Sequence, residues 1–418
     1  MRAYPALLAL VCIVSACGDG QNAEGGGRSG TVVRDSAGIT IVESTGVDVE
    51  VWHLASEADL VIGLIDGADP YSLYGVRDID RLADGSWVVT NGGTEEIRVF
   101  DAEGEFSRTI GRSGEGPGEF VSLSQKWVLG GDSVAAWDSR QRRMTVFGPS
   151  GDVSRTFGFT TIEGGLINPI GPLPDGRWVV RERDSGTIST GGTGRGYPVI
   201  PEDRFAITDP FGVSATVFTT LDGPMSWVVE SASFAMTRDR IPFQAGTGLT
   251  LLGDRIVGGV RSGSDIGVWD TEGAPLARWR LLSEAQPVTD ADWDAELEHE
   301  IDGMVVSGAA PPIDFEEMAR EFYGQVQRPT TWPRRFNELP AVNGDLWTGE
   351  YLPLSLTDSS RRWHVYSRDG LLERAVDLPP GFSLLWAGED RVAGVVEDEF
   401  EVEYVHVYAL LPKGQAPA

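Results

Sequence analysis

Cysteine is almost missing from this chain, with Cys12 and Cys17 the only two in 418 residues. Both lie ahead of the globular part, so no disulfide framework can hold it and stability has to come from packing. Histidine is nearly as scarce. His53, His299, His364 and His406 stand far apart without paired spacing, which excludes the usual zinc patterns. His299-Glu300 lacks a second histidine three residues on, and the Gly-x-Ser-x-Gly spacing of a nucleophile elbow does not occur. Basic residues are also in deficit: 34 Lys and Arg face 63 Asp and Glu, a formal charge of −29. Such a surface repels phosphate backbones, so nucleic acid is excluded as a partner, and lying flat on anionic lipid is disfavoured.

Long apolar runs are missing too. The stretch Ala6 to Val14 behind Met1-Arg2 is too short to span a bilayer and reads as a signal peptide, residues 1–16. It ends in Val14-Ser15-Ala16-Cys17, which resembles the bacterial lipobox. That resemblance implies lipidation of Cys17 and a membrane hold by the lipid anchor alone. Gly18 after the cysteine resembles lipoproteins sent on to the outer membrane, facing the periplasm or the cell surface. Residues 17–30 read as a flexible tether, six of the 13 positions from Gly18 to Gly30 being glycine.

What the chain does have is turn chemistry and large aromatics, with 53 Gly, 24 Pro and 13 Trp. That composition points to a multi-sheet β protein. Internal repeats support it: IRVFDAEGEFSRTIG from Ile97 and MTVFGPSGDVSRTFG from Met144 agree at seven of 15 positions, LADGSWVV from Leu82 and LPDGRWVV from Leu173 at six of eight. Each motif is a polar turn between β-branched and aromatic residues, the pattern of a hairpin. One kind of turn recurs six times, from Asp84-Gly85 to Gly388-Glu389-Asp390. The other occurs five times, from Asp101 to Gly104 through to Arg368 to Gly370, with a sixth near the N-terminus at Asp35-Ser36-Ala37-Gly38.

A four-stranded antiparallel blade needs one hairpin between its two inner strands and one between its two outer strands, so the two series count blades independently. Both predict six. The fold expected for residues 31–412 is therefore all-β, a six-bladed β-propeller. The split of the last turn pair between the two chain ends predicts closure by an N-terminal strand, Ile39-Thr40-Ile41-Val42. Thr289 with Asp292, and Asp314 with Glu317, cap two helical patterns on either side of Pro311-Pro312. They predict a two-helix insertion, about 284–336, between blades 4 and 5. Residues 413–418 form a tail.

Gly111-Arg112-Ser113-Gly114-Glu115-Gly116-Pro117-Gly118-Glu119-Phe120 resembles the blade junction of NHL-type repeats. With the DSAGI opening and the ring of Asp-Gly turns, the chain is similar to bacterial six-bladed β-propeller lipoproteins of the NHL/TolB-like group. The resemblance implies a fold shared by binding modules, lyases and lactonases, and so no single activity.

Gly111 to Gly118 lacks the Lys-Ser/Thr and the following helix of a phosphate loop and reads as a turn. No cofactor is indicated. Axial calcium stays open among so many carboxylates, although no D-x-D-x-D-G loop marks a site. The long connections all fall on the propeller face opposite the tight hairpins, where function usually gathers. Arg140, Arg143, Arg181, Arg183 and Arg261 fall near that mouth, and guanidinium groups there suit a small anionic ligand. Local pairing with Asp138, Glu182 and Asp184 is the competing explanation. The expectation is a monomeric, non-catalytic envelope module that binds a small anion or an envelope protein. The alternative is a lyase or lactonase using an axial metal.

Overall fold

Two residues beyond their Asp-Gly turns, Trp87 and Trp178 open strands whose first three residues are buried on both faces. A strand covered on both faces belongs to a blade stacked between two other blades, and the computed structural model has six of them. Blade 1 consists of Val76–Arg81, Trp87–Asn91, Glu96–Phe100 and Phe106–Ile110. Blade 2 spans Leu123 to Phe157, blade 3 Leu166 to Asp222, blade 4 Thr247 to Leu281 and blade 5 Glu338 to Leu378. Blade 6 takes its three inner strands from Ser383–Ala387, Arg391–Glu397 and Glu403–Pro412. The structure describes residues 30–412 apart from 46–48, 65–68, 185–196, 231–234, 239–240, 245, 307–314, 336 and 357. The signal segment, Cys17, the tether before Gly30, the Asp314 cap and the tail lie outside the described residues.

The chain is thus an all-β six-bladed propeller with two helices inserted between blades 4 and 5. Its hairpins close as the turn chemistry requires. Gly85 and Gly176 sit at φ 90° and 89° in the inner turns, Gly104 and Gly151 at 87° and 90° in the outer ones. These values favour glycine because a Cβ would be strained there. Aromatic pairs then lock neighbouring blades. Trp127 meets Trp178 edge to face across blades 2 and 3 (5.3 Å), and Trp87 meets Trp386 across blades 1 and 6 (5.2 Å).

Closure does come from the N-terminal segment, but through a different strand. Leu60–Ile62 pairs antiparallel with Glu403–Pro412 and completes blade 6. Ile39–Ser44, the strand expected there, instead runs parallel to the outer strand of blade 4, with Thr31–Ser36 beyond it as a new edge. Between the two, Val51–Leu54 pairs with the outer strand of blade 5 and with the end of Glu403–Pro412. Residues 31–62 therefore belt three blades in turn. Ile62 decides the closing strand, since it is 1% exposed and packs with Leu73, Trp386, Val395 and Val405.

Arginines on the outer strands reach into the neighbouring blade. Arg108 donates to Pro149 O in the next blade's turn (3.2 Å), and Arg155 lies over Phe211 of blade 3 (5.2 Å). Helix α1 (Asp290–Val306) starts on the expected cap: Thr289 N donates to Asp292 Oδ2 (2.9 Å) and Asp292 N to Thr289 Oγ1 (3.2 Å). Trp293 and Ile301 of α1 join Phe322 and Tyr323 of α2 (Phe315–Gln325) against Trp227, Ile241 and Phe243 from the connection between blades 3 and 4. The insertion is anchored by this core. A small sheet of Tyr197–Val199, Ser226–Glu230 and Ala235–Arg238, not expected from the sequence, joins the loop within blade 3 to the connection that follows that blade.

Candidate functional site

Polar residues at the ends of second strands bind the backbones of neighbouring short connections. Asn91 Oδ1 accepts from Tyr74 N (2.7 Å), and Asp138 accepts from Val121, Arg140 and Gln141 N–H groups at 2.7–2.9 Å. Glu182 does the same for Glu163 and Gly165 (2.7 and 2.9 Å). Burial pushes the Glu182 pKa up, but these hydrogen bonds and that from Ile162 prevail and hold it below the usual range.

Two cavities reach the expected arginines. The axial one, about 480 Å³, is lined by all six innermost strands. The second, about 370 Å³, lies beneath the insertion, with walls from Pro224, Ile241 and Gln244 on the connection between blades 3 and 4, from Tyr351, Leu354 and Arg361 of blade 5, from α1 and from Arg335. Arg261 lines both.

The arginines expected at the mouth separate into three groups. Arg143 is committed to the glycine-rich junction, donating to Glu115 O (3.1 Å), Gly116 O (2.8 Å) and Glu119 O (2.6 Å). Arg140 is exposed, and neither residue lines these cavities. Arg183 is held bidentately by Asp203 at 2.7 and 2.8 Å. Arg181 and Arg261 are the two that reach the axial cavity. Arg261 Nε donates to Glu338 Oε2 (2.8 Å), and the same carboxylate takes Arg335 Nε on Oε1 (3.2 Å). Arg181 has only a distant share of Asp203, 4.0 Å away, and its buried Nε has no hydrogen-bond partner. Burial pushes its pKa down, Arg183 and Arg261 push it further down, and Asp203 opposes them. A desolvated cation among cations is a place for an incoming anion.

Several cavity residues were not expected. Arg335 is 6% exposed and holds the carbonyls of Val260, Gly263 and Asp265. Gln244, Glu296 and Glu300 carry no motif, and only folding brings them together. Lys126 did carry a signal, since the sequence has just two lysines, Lys126 and Lys413. Its ammonium, fully buried, lies between Asp78 and Asp80 in the axial cavity, 3.2 and 3.5 Å from their oxygens. Among the described residues no three His, Cys, Asp or Glu side chains gather as a metal-binding group. Nor is any described helix long and apolar enough to cross a membrane.

A family model described as DUF5128, 6-bladed beta-propeller, matches residues 73–156, which is blade 1 and most of blade 2. No curated protein matches the sequence. Among solved structures, a member of the DUF4221 family from Bacteroides vulgatus ATCC 8482 is 11% identical with a TM-score of 0.52, covering 87% of this chain and 98% of its own. A protein described as exported, from Bacteroides fragilis NCTC 9343, is 12% identical with a TM-score of 0.46, covering 87% and 99%. A virginiamycin B lyase from Staphylococcus aureus is 9% identical with a TM-score of 0.39, covering 84% and 98%. At these identities the likeness speaks for the fold alone.

Proposed function

We propose that the protein is a non-catalytic binding module of the bacterial envelope, anchored through Cys17, that takes a small anionic ligand onto Arg181 and Arg261. The observation that carries this reading is Arg181: a half-buried guanidinium facing the axial cavity, its Nε buried without a partner and its nearest carboxylate already serving Arg183 on both oxygens. An anion delivered there gains charge-assisted hydrogen bonds from a guanidinium already partly desolvated. Arg261, positioned by Glu338, supplies the second guanidinium.

Citrate and sulfate are suitable probes. Either should raise the melting temperature of the mature protein in proportion to the logarithm of its concentration, as a ligand of the native state must. Arg181→Met should abolish the shift, and a shift of equal size in that variant overturns the assignment. Anchoring is tested separately: Cys17→Ala should move the exported protein from the membrane to the soluble fraction, and equal membrane retention rejects the lipid anchor.

A further inference from the structure

The cavity beneath the insertion has a character that an anion alone does not match. Gln244, on the connection between blades 3 and 4, lines it. Both Nε2 and Oε1 of its amide are buried there without a hydrogen-bond partner. A buried amide with donor and acceptor both unmet is unfavourable to the empty protein, so a gain elsewhere has to explain it. A simple anion can satisfy the donor and a cation the acceptor. A peptide group satisfies both together, because it offers C=O and N–H in the complementary arrangement.

The charges around Gln244 extend the pattern. Arg261 and Arg335 bring guanidinium groups to the cavity, both fixed by Glu338. Helix α1 brings Glu296 and Glu300, four residues apart and so on one face of the helix. Glu296 is immobilised, Oε1 accepting from Ser355 N and Ser355 Oγ, each at 2.7 Å. Tyr351, Ile241 and Leu352 supply apolar wall. The cavity therefore offers cationic groups, an amide and anionic groups within about 370 Å³, a volume suited to a small molecule.

We infer that this cavity binds a short peptide with free ends, its carboxylate on Arg261, an internal amide on Gln244 and its ammonium at Glu296 and Glu300. The inference rests on the anion reading through Arg261 alone, which lines both cavities.

The test is calorimetric titration of the mature protein with a panel of tripeptides varied at the N-terminal residue, each free, N-acetylated or C-amidated, and with citrate for comparison. The best free tripeptide should bind at least tenfold more tightly than either blocked form. Glu300→Gln should remove the penalty of acetylation while leaving citrate binding intact. Gln244→Leu should weaken the free tripeptide about tenfold yet leave the unliganded protein as stable as before or more so, which a merely structural glutamine would not do. Equal affinity for free and acetylated peptides, no binding by any peptide, or full peptide affinity in Gln244→Leu each overturns the peptide inference. Citrate binding that persists and is lost in Arg181→Met would then leave the anion reading standing. Loss of both sinks the two together.

Discussion

Lys126 Nζ lies 3.2 Å from Asp78 Oδ2, so an ammonium with no solvent exposure ties the innermost strand of blade 2 to that of blade 1. Burial pushes the Asp78 carboxyl up to about 6, Lys126 opposing the rise and Asp80 adding to it. The folded protein therefore holds a proton on Asp78 that the unfolded chain has released, in the window from about pH 4 to 6. Stability contributed by that proton is lost as pH rises through 6. Asp78→Asn removes this dependence, so its stability relative to wild type should climb between pH 4 and 7 by on the order of 2 kcal/mol. Urea unfolding of both proteins across that range measures it, and parallel curves exclude the effect.

His364 titrates with the opposite sign. Burial pushes its pKa down to about 4, Arg362 adds to the fall and Asp377 opposes it, with Glu350 Oε1 3.6 Å from Nε2. Below pH 6.5 the unfolded chain takes up a proton that the folded protein refuses until about pH 4, so stability is lost as pH falls through this window. His364→Gln should be more acid-resistant than wild type, by on the order of 2 kcal/mol at pH 4.5 relative to the difference at pH 7.5. Chemical denaturation at the two pH values decides it.

The belt of residues 31–62 makes unequal contributions. Ile62 closes blade 6 from inside its core, whereas Val33, on the outermost strand beyond blade 4, is 59% exposed. Ile62→Ala should cost about 2–4 kcal/mol of folding free energy, as a buried aliphatic truncation does. Val33→Thr should stay within about 0.5 kcal/mol. Similar losses at the two positions would move the closure elsewhere.

Arg143 and Arg181 should part company in a paired measurement. Arg143 holds three carbonyls of the glycine-rich junction, so Arg143→Met leaves them partly unmet and should destabilise the protein by about 1–3 kcal/mol while citrate affinity is unchanged. Arg181 is a half-buried cation repelled by Arg183 and Arg261, so Arg181→Met should leave stability equal or higher and lose citrate binding. Thermal melts with and without citrate on both variants give all four values, and a stability loss confined to Arg181→Met refutes the division.

Local chemistry was legible in the sequence. A glycine at positive φ, as at Gly85 or Gly151, declares a turn whatever the chain does next, so counting two turn series was enough to count blades. The Thr289-Asp292 cap was readable for the same reason, since its bonds close within four residues. Tertiary structure decided what depends on a distant partner. Ile39–Ser44 and Leu60–Ile62 are both short strands able to join an outer edge, and only the core formed by Leu73, Trp386 and Val405 selects Leu60–Ile62 for blade 6. The arginines show the same limit: Arg143 meets carbonyls 24–28 residues back along the chain and Arg261 a carboxylate 77 residues ahead, and neither set of partners was the expected one. The sequence by itself set turns, caps and blade number, because those energies are local. Which guanidinium groups face a cavity, and which amide is left unmet there, emerged only when strands, connections and a helix from separate parts of the chain came together, because hydrogen-bond satisfaction is settled by neighbours in space.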